Sequence, residues 1–494
     1  MLRPRRLART WAGAALIALL IVPAVALSAP NPGQRSGQAG LEAPARASAE
    51  ARPAAVEPAV DATTTAGATS EPTSPPNTQA TATGIIPGSV NRTSLDLTAT
   101  YSVGLRLNFG TRSFRADTTI SVVNTSAGPI DRLELNTIAA RLGAIRLTAV
   151  SVDGTPVKAT IDDQTVIVPL GGVLDVGAST RVRVAYTATL RSSLTGSNWL
   201  FTRTNGILEA HRWIPWVSRR TPFNRPNHGD PFVTPVSPLV RVSITSDRTL
   251  VYATPGTRVT RSGLRQTFEA TNVRDFAFTA APDYKTTSAT VGDTVIRVYY
   301  RSGFPATATL AAAKRAIAKM EALVGPYPYR TYRLAQTAGG FGMESPGLTW
   351  IPTGVARSNV SYLVTHETGH QWFYSLIGND QARQPFADEA VTDFLARYTL
   401  GARRASRCST ARLDLTIYRY SRACYYEVVY IQGGNFLDDL RRRMGSTAFW
   451  RGLRTYVAAN RFAFGSTKEL LDTLDAATPL NLVPRYGSRF PSLY

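Results

Sequence analysis

The segment Ser361–Tyr374 carries two histidines four residues apart, His366 and His370, with Glu367 beside the first of them. On a helix, side chains with that spacing sit one turn apart, about 5–6 Å between Cβ atoms. A helix therefore lets both imidazoles address one metal ion while Glu367 stands at the same face. Gly369 costs such a helix about 1 kcal/mol relative to alanine, and its presence predicts close packing against a neighbouring element. A tetrahedral catalytic metal takes three protein ligands and keeps one position open. Glu389 is the best third candidate, because it opens a second helical segment soon after Pro385.

The rest of the chain changes texture twice. Met1–Thr10 holds four arginines, and Trp11–Leu27 is an apolar or small-residue run broken only by Pro23. This pattern reads as an export signal over residues 1–28, cut after Ala26 or Ser28. The alternative is an uncleaved anchor, since the run approaches the roughly 17 residues that span a bilayer. No cysteine lies near the cut, so a lipid has no attachment point there. Residues 29–87 are rich in Ala, Pro and Thr and are expected to form a disordered linker, being too poor in large apolar groups to repay ordering. The expected location is secreted or extracytoplasmic, either free or surface-associated. Membrane or envelope association is expected only through the N-terminal segment.

From Asn91 onward, period-two alternation takes over, beginning with Leu95–Asn108. Further strand patterns follow at Arg115–Val123, Asp131–Leu135, Ala144–Val152, Gln164–Val168, Thr180–Leu190, Leu239–Ser246, Arg248–Ala253 and Gln266–Ala270, with turn residues between them. Thr294–Tyr300 reads as a strand and Ala306–Val324 as an amphipathic helix stopped by Gly325-Pro326. Helical texture then dominates from Asn359 through Thr478. With 494 residues, 44% apolar, the chain can build two or three cores. The predicted fold is multidomain α+β: an antiparallel β-domain over 88–285, then a mostly helical domain over 286–494 that holds the metal motif.

The formal net charge is +21. It keeps the protein far from self-neutralisation, but no finger, basic zipper or aromatic-basic ladder focuses it, so no nucleic-acid partner is expected. Cys408 and Cys424 are the two cysteines. In an exported protein they can close a small disulfide loop, the alternative being two isolated buried thiols.

Three ordered motifs make residues 90–475 resemble the zinc aminopeptidases of the M1 family, the gluzincins that include alanyl aminopeptidase and leukotriene hydrolase. The first is the His366-Glu367-x-x-His370 helix followed, after 18 residues (371–388), by Glu389, with the continuation Gln371-Trp372-Phe373. The second is Gly340–Gly347, in the place of the family's glycine-x-methionine-glutamate-asparagine substrate motif, and the third is Val429–Gly433, where relatives carry tyrosine-x-lysine-glycine. The resemblance implies a thermolysin-like catalytic domain and one zinc ion per chain held by His366, His370 and Glu389. Glu367 would be the general base, Tyr430 an oxyanion donor, and Glu344, with Gly342 and Met343, the substrate-binding strand. Its implied substrates are peptides or proteins, shortened from the N-terminus by zinc-activated water. Three positions depart from the pattern: Phe341 stands for the motif's opening glycine, Ser345 for its asparagine and Gln432 for the lysine.

Several roles stay open at this level. Asp393, four residues after Glu389, either orients a liganding histidine or faces solvent on its helix. Glu344 is either a counter-charge for a substrate α-amine or an exposed turn acid before Pro346. His211 and His228 read as surface or hydrogen-bonded residues rather than ligands, and Trp213 and Trp216 as packing between the domains. Rival functions are a zinc endopeptidase or other hydrolase on the same centre, and an inactive peptidase-fold binding protein.

Overall fold

The computed structural model describes residues 94–225 and 229–494. The expected export signal, the linker and His228 lie outside the described residues. Within them no helix is long and apolar enough to cross a membrane.

The alternating stretches form strands because every second side chain has a core to enter. Thr98–Asn108 buries its alternate residues Ala99, Tyr101, Val103, Leu105 and Leu107. It sits in the middle of an eight-stranded sheet with Ser113–Val123 antiparallel on one side. On its other side Val240–Ser246 runs parallel, so this part of the chain is not purely antiparallel as the sequence suggested. Two four-stranded sheets complete the β-region.

One hairpin in these four-stranded sheets lies outside the strand patterns read from the sequence. Phe201–Thr204 and Ile207–Ala210 pair across Asn205-Gly206, both at positive φ. Asparagine-glycine is the residue pair that a tight hairpin turn favours, and it was the signal to follow.

A five-stranded mixed sheet then opens the second half, ordered Lys285–Val291, Thr294–Tyr300, Thr331–Thr337, Leu348–Pro352, Met343–Ser345. Its parallel pairs need a crossover, and the helix Ala306–Val324 supplies it between the second and third strands. That helix has the bounds its periodicity predicted.

Leu348–Pro352 is buried along its whole length because both faces of this sheet are covered. Leu348 and Trp350 enter the β-region's core, while Ile351 enters the helical core. The segment between Gly401 and Tyr425 is largely irregular rather than helical, and the disulfide Cys408–Cys424 lies in it, with Cα atoms 5.8 Å apart. Its apolar residues Leu413, Ile417 and Tyr420 nonetheless reach the helical core, at the helical spacing that made the segment read as a helix.

Trp213 and Trp216 sit inside the β-region and not between domains. The Trp213 indole donates to Phe276 O at 2.9 Å, and Trp216 stacks on Tyr101 at 4.1 Å. Arg274 makes the cross-connection instead, donating to the carbonyls of Thr234, Ser375 and Ala463 at 3.0, 3.3 and 2.6 Å.

Trp350 spans from the five-stranded sheet into the β-core without solvent exposure. Trp350→Ala should therefore cost about 3–5 kcal/mol, read as a lower denaturant midpoint. A midpoint within error of wild type would show that the two halves do not rely on this contact.

Candidate metal centre

The helix Val360–Gly369 is seated on the five-stranded sheet by Tyr332, whose hydroxyl hydrogen-bonds Thr349 and Thr368 at 2.9 and 3.0 Å. His366 and Glu367 lie on its buried face, and His370 is the residue directly after its end. Gly369 lets the second helix, Glu389–Leu400, come close: a Cβ there would press on Thr392 at 3.1 Å. This is the close packing its position implied. Pro385 starts a short 3₁₀ turn just before the second helix, and Glu389 is that helix's first residue.

The approach of the two helices makes a triangle of donor atoms. His366 Nε2 and His370 Nε2 are 3.2 Å apart, and Glu389 Oε2 lies 3.3 and 3.4 Å from them. A tetrahedral zinc at about 2.0–2.1 Å from each ligand requires edges of about 3.3–3.4 Å. Glu389 Oε2 has no hydrogen-bond donor, as expected of an atom whose lone pairs face a cation. His370 Nδ1 is 2.7 Å from Asp388 Oδ1, which places the hydrogen on Nδ1 and leaves the Nε2 lone pair facing the triangle. The donor set and its spacing fit a zinc ion.

A second group of potential ligand atoms, Glu344, His370 and Asp388, lies within 4.8 Å of one another. The Gln381 amide nitrogen closes it, donating to Glu344 at 3.1 Å and to Asp388 at 2.8 Å. The two amide hydrogens, one toward each carboxylate, occupy the side a cation would need.

No family model matches the sequence. Among solved structures, the chain is similar to an M1 zinc metallopeptidase from Deinococcus radiodurans. The two share 21% identity with a TM-score of 0.63, over 82% of this chain and 96% of that one. A glutamate-to-alanine mutant from the same organism, bound to a Tyr-Ser-Ala substrate, is 20% identical with TM-score 0.63 and the same coverage. A two-domain M1 zinc metallopeptidase mutant bound to L-arginine is 20% identical with TM-score 0.61, over 77% of this chain and 91% of that one. The fold is that of the M1 zinc metallopeptidases.

Within this M1 fold, Glu344 lies on the edge strand Met343–Ser345, paired with Thr349 and only 4% exposed. It is no exposed turn acid. Gln371 clamps that strand to the end of the histidine helix, donating to Ser345 O at 3.0 Å and accepting from Gly347 N at 2.8 Å. Ser345 hydrogen-bonds Asp275 of the β-region. At Gly342 a Cβ would run into the Glu367 carboxylate, so only glycine allows the strand to pass this close. Met343 is buried on the core side of the same strand.

Tyr430 lies on the π-helical stretch Tyr426–Gln432, with its ring stacked on His366 at 5.5 Å. Burial, and then the negative charge of Glu389, push its phenol well above the ordinary value and keep it a donor. Gln432 donates to Cys408 O at 2.6 Å and accepts from Arg489 at 2.8 Å, fastening the disulfide segment beside this stretch.

Burial raises the carboxyl of Glu367 well above its usual range; His370 opposes that, while Glu344 and Glu389 add to it. Burial also works to raise Glu389, but His370 and His366 hold it far below the usual range. Asp388 is pushed up to about 6 by burial, against the pull of His370.

Asp393 does not orient a histidine. Its carboxylate accepts from the Tyr362 hydroxyl and from Arg397 Nε, the latter at 2.6 Å, and Asp388 does the orienting instead. An acid immediately before a ligand was the available sequence signal. His211, read as a surface or hydrogen-bonded residue, is fully buried with neither ring nitrogen hydrogen-bonded, packed edge-on against Phe232 and Trp350. Burial, with Arg212 and Arg225 nearby, holds it neutral.

Asp230 is another buried acid that the sequence did not single out. Its carboxyl is pushed up to about 7 by burial, against the pull of Arg225, and it feels Glu344 and Glu389.

His366→Ala, His370→Ala and Glu389→Ala should each abolish stable zinc binding, measured by elemental analysis after dialysis. Asp388→Asn should weaken zinc by about tenfold, while Asp393→Asn leaves zinc affinity unchanged. The reverse order for the two aspartates would return the orienting role to Asp393.

Proposed function

We propose that this chain is a zinc aminopeptidase of the M1 family, removing residues from the N-termini of peptides outside the cytoplasm. The observation that carries the reading is a buried carboxylate, Glu344, on an edge strand beside a zinc-type donor triangle and its adjacent Glu367. An exopeptidase must recognise a free α-amine as well as a carbonyl, and Glu344 would supply the counter-charge. One zinc ion, held by His366, His370 and Glu389, would polarise the scissile carbonyl and lower the pKa of the attacking water.

The chain's own residues divide the remaining work. Glu367 Oε2 has no hydrogen-bond partner, and its raised proton affinity suits a group that takes a proton from water and hands it to the leaving amine. Tyr430 donates its hydroxyl hydrogen where negative charge develops on the carbonyl oxygen. Asp388 keeps His370 in the metal-binding tautomer throughout. An export signal over residues 1–28 and the disulfide Cys408–Cys424 together support an oxidising, extracytoplasmic setting.

Unblocked peptides should be shortened one residue at a time, and their N-acetylated forms should resist. Glu367→Gln should keep zinc and lose nearly all turnover, and Tyr430→Phe should lower kcat by about 10² with KM little changed. Glu344→Gln should keep zinc and lose at least about tenfold in kcat/KM. Efficient internal cleavage of acetylated peptides, indifferent to Glu344→Gln, would replace this reading with an endopeptidase.

A further inference from the structure

Gln381 lies between the two metal helices, in the stretch that joins them, and is 3% exposed. Both hydrogens of its side-chain nitrogen are committed, one to Glu344 Oε1 at 3.1 Å and the other to Asp388 Oδ2 at 2.8 Å. Its carbonyl oxygen faces Arg212 Nη2 of the β-region at 3.5 Å. The other oxygen of Asp388 meets His370. One amide thus stands between the carboxylate placed to meet a substrate amine and the carboxylate that orients a metal ligand.

We propose that Gln381 is a positioning residue that ties amine recognition to metal binding by holding Glu344 and Asp388 on a single rigid support. The amine half of this rests on the aminopeptidase reading; the metal half does not.

The chemistry of the side chain fits the task. Two buried carboxylates this close repel one another, and each needs a donor to remain in place. A primary amide supplies a hydrogen to both without adding charge. A glutamate of the same shape would have at most one hydrogen to offer the two carboxylates, and none when ionised. A leucine would leave two buried acceptors unmatched, which costs more than the hydrogen bonds themselves contribute. Either change lets Asp388 turn, and His370 with it, while Glu344 loses the bond that aims its carboxylate.

The test uses the full chain as Gln381→Glu, which keeps shape and reverses the hydrogen-bonding sense, and as Gln381→Leu, which removes it. Zinc affinity is measured on the metal-free proteins by chelator competition. Dissociation constants are then measured on the zinc-loaded proteins for an amino-acid hydroxamate and its analogue lacking the α-amine. Thermal melting identifies any variant that fails to fold; if Gln381→Leu does, the isosteric Gln381→Glu carries the test.

The expected result is a loss of about tenfold or more in zinc affinity, together with collapse of the wild type's preference for the amine-bearing hydroxamate. A folded variant that keeps both properties, or loses only one, overturns the coupling. A wild type with no preference for the amine would instead sink the aminopeptidase reading. The zinc arm would then decide by itself: unchanged affinity in the variants would remove Gln381 from the metal site as well.

Discussion

The centre of this protein is organised by the problem of burying four carboxylates close together. Glu344, Glu367, Asp388 and Glu389 are each no more than 8% exposed. A charge without a partner is expensive in such surroundings, so each acid needs its own compensation. Glu389 has two imidazoles and the place of a cation. Asp388 has His370 on one oxygen and Gln381 on the other. Glu344 shares Gln381. Glu367 Oε2, like Glu389 Oε2, has no hydrogen-bond partner, but Glu367 has no imidazole pair facing it, and it is the acid from which the proposed reaction asks a proton transfer.

The β-region belongs to the site as much as the helices do. Asp275 accepts hydrogen bonds from Ser345 and from Tyr374, and Tyr374 in turn accepts from Arg212 at 2.6 Å. Glu209, on the hairpin strand, accepts from the backbone of Ala338 where the chain turns toward Gly342. Arg274 is fully buried, its guanidinium lowered to about 10 by burial, and satisfied by carbonyls from three separate segments. These contacts hold the edge strand at the distance from the histidine helix that Gly342 permits. Tyr430 is positioned by a π-helical stretch that Gln432 fastens to the disulfide segment. Widened helical turns of this kind occur often at functional sites.

What could be read in advance follows the range of the physics involved. The helix Ala306–Val324 and the principal strands of the β-region depend on local periodicity, and the chain shows that directly. The hairpin around Asn205-Gly206 is equally local, with four-residue strands on either side of the turn pair. The parallel pairing of Thr98–Asn108 with Val240–Ser246 joins positions about 140 residues apart, and no local pattern distinguishes it from antiparallel pairing. The same holds for Asp388 and Asp393. Both are acids near Glu389, and only the direction in which each side chain leaves its backbone assigns one to His370 and the other to Tyr362 and Arg397.

By itself the sequence determined which groups were available: two histidines one helical turn apart, an acid beside them, a further acid opening the next helix, and an order of elements from strands to helices. Those are consequences of spacing along one chain, where covalent geometry leaves few choices. Only the tertiary structure decided that three lone pairs converge to a triangle about 3.3 Å on a side, that Glu344 is buried beside it, and that Gln381 and Asp388 stand behind it. Those outcomes depend on how closely two helices and an edge strand approach. Residues well separated along the chain, such as Arg212, Asp275, Gly342 and Gly369, set that distance through packing and hydrogen bonds that a linear pattern does not encode.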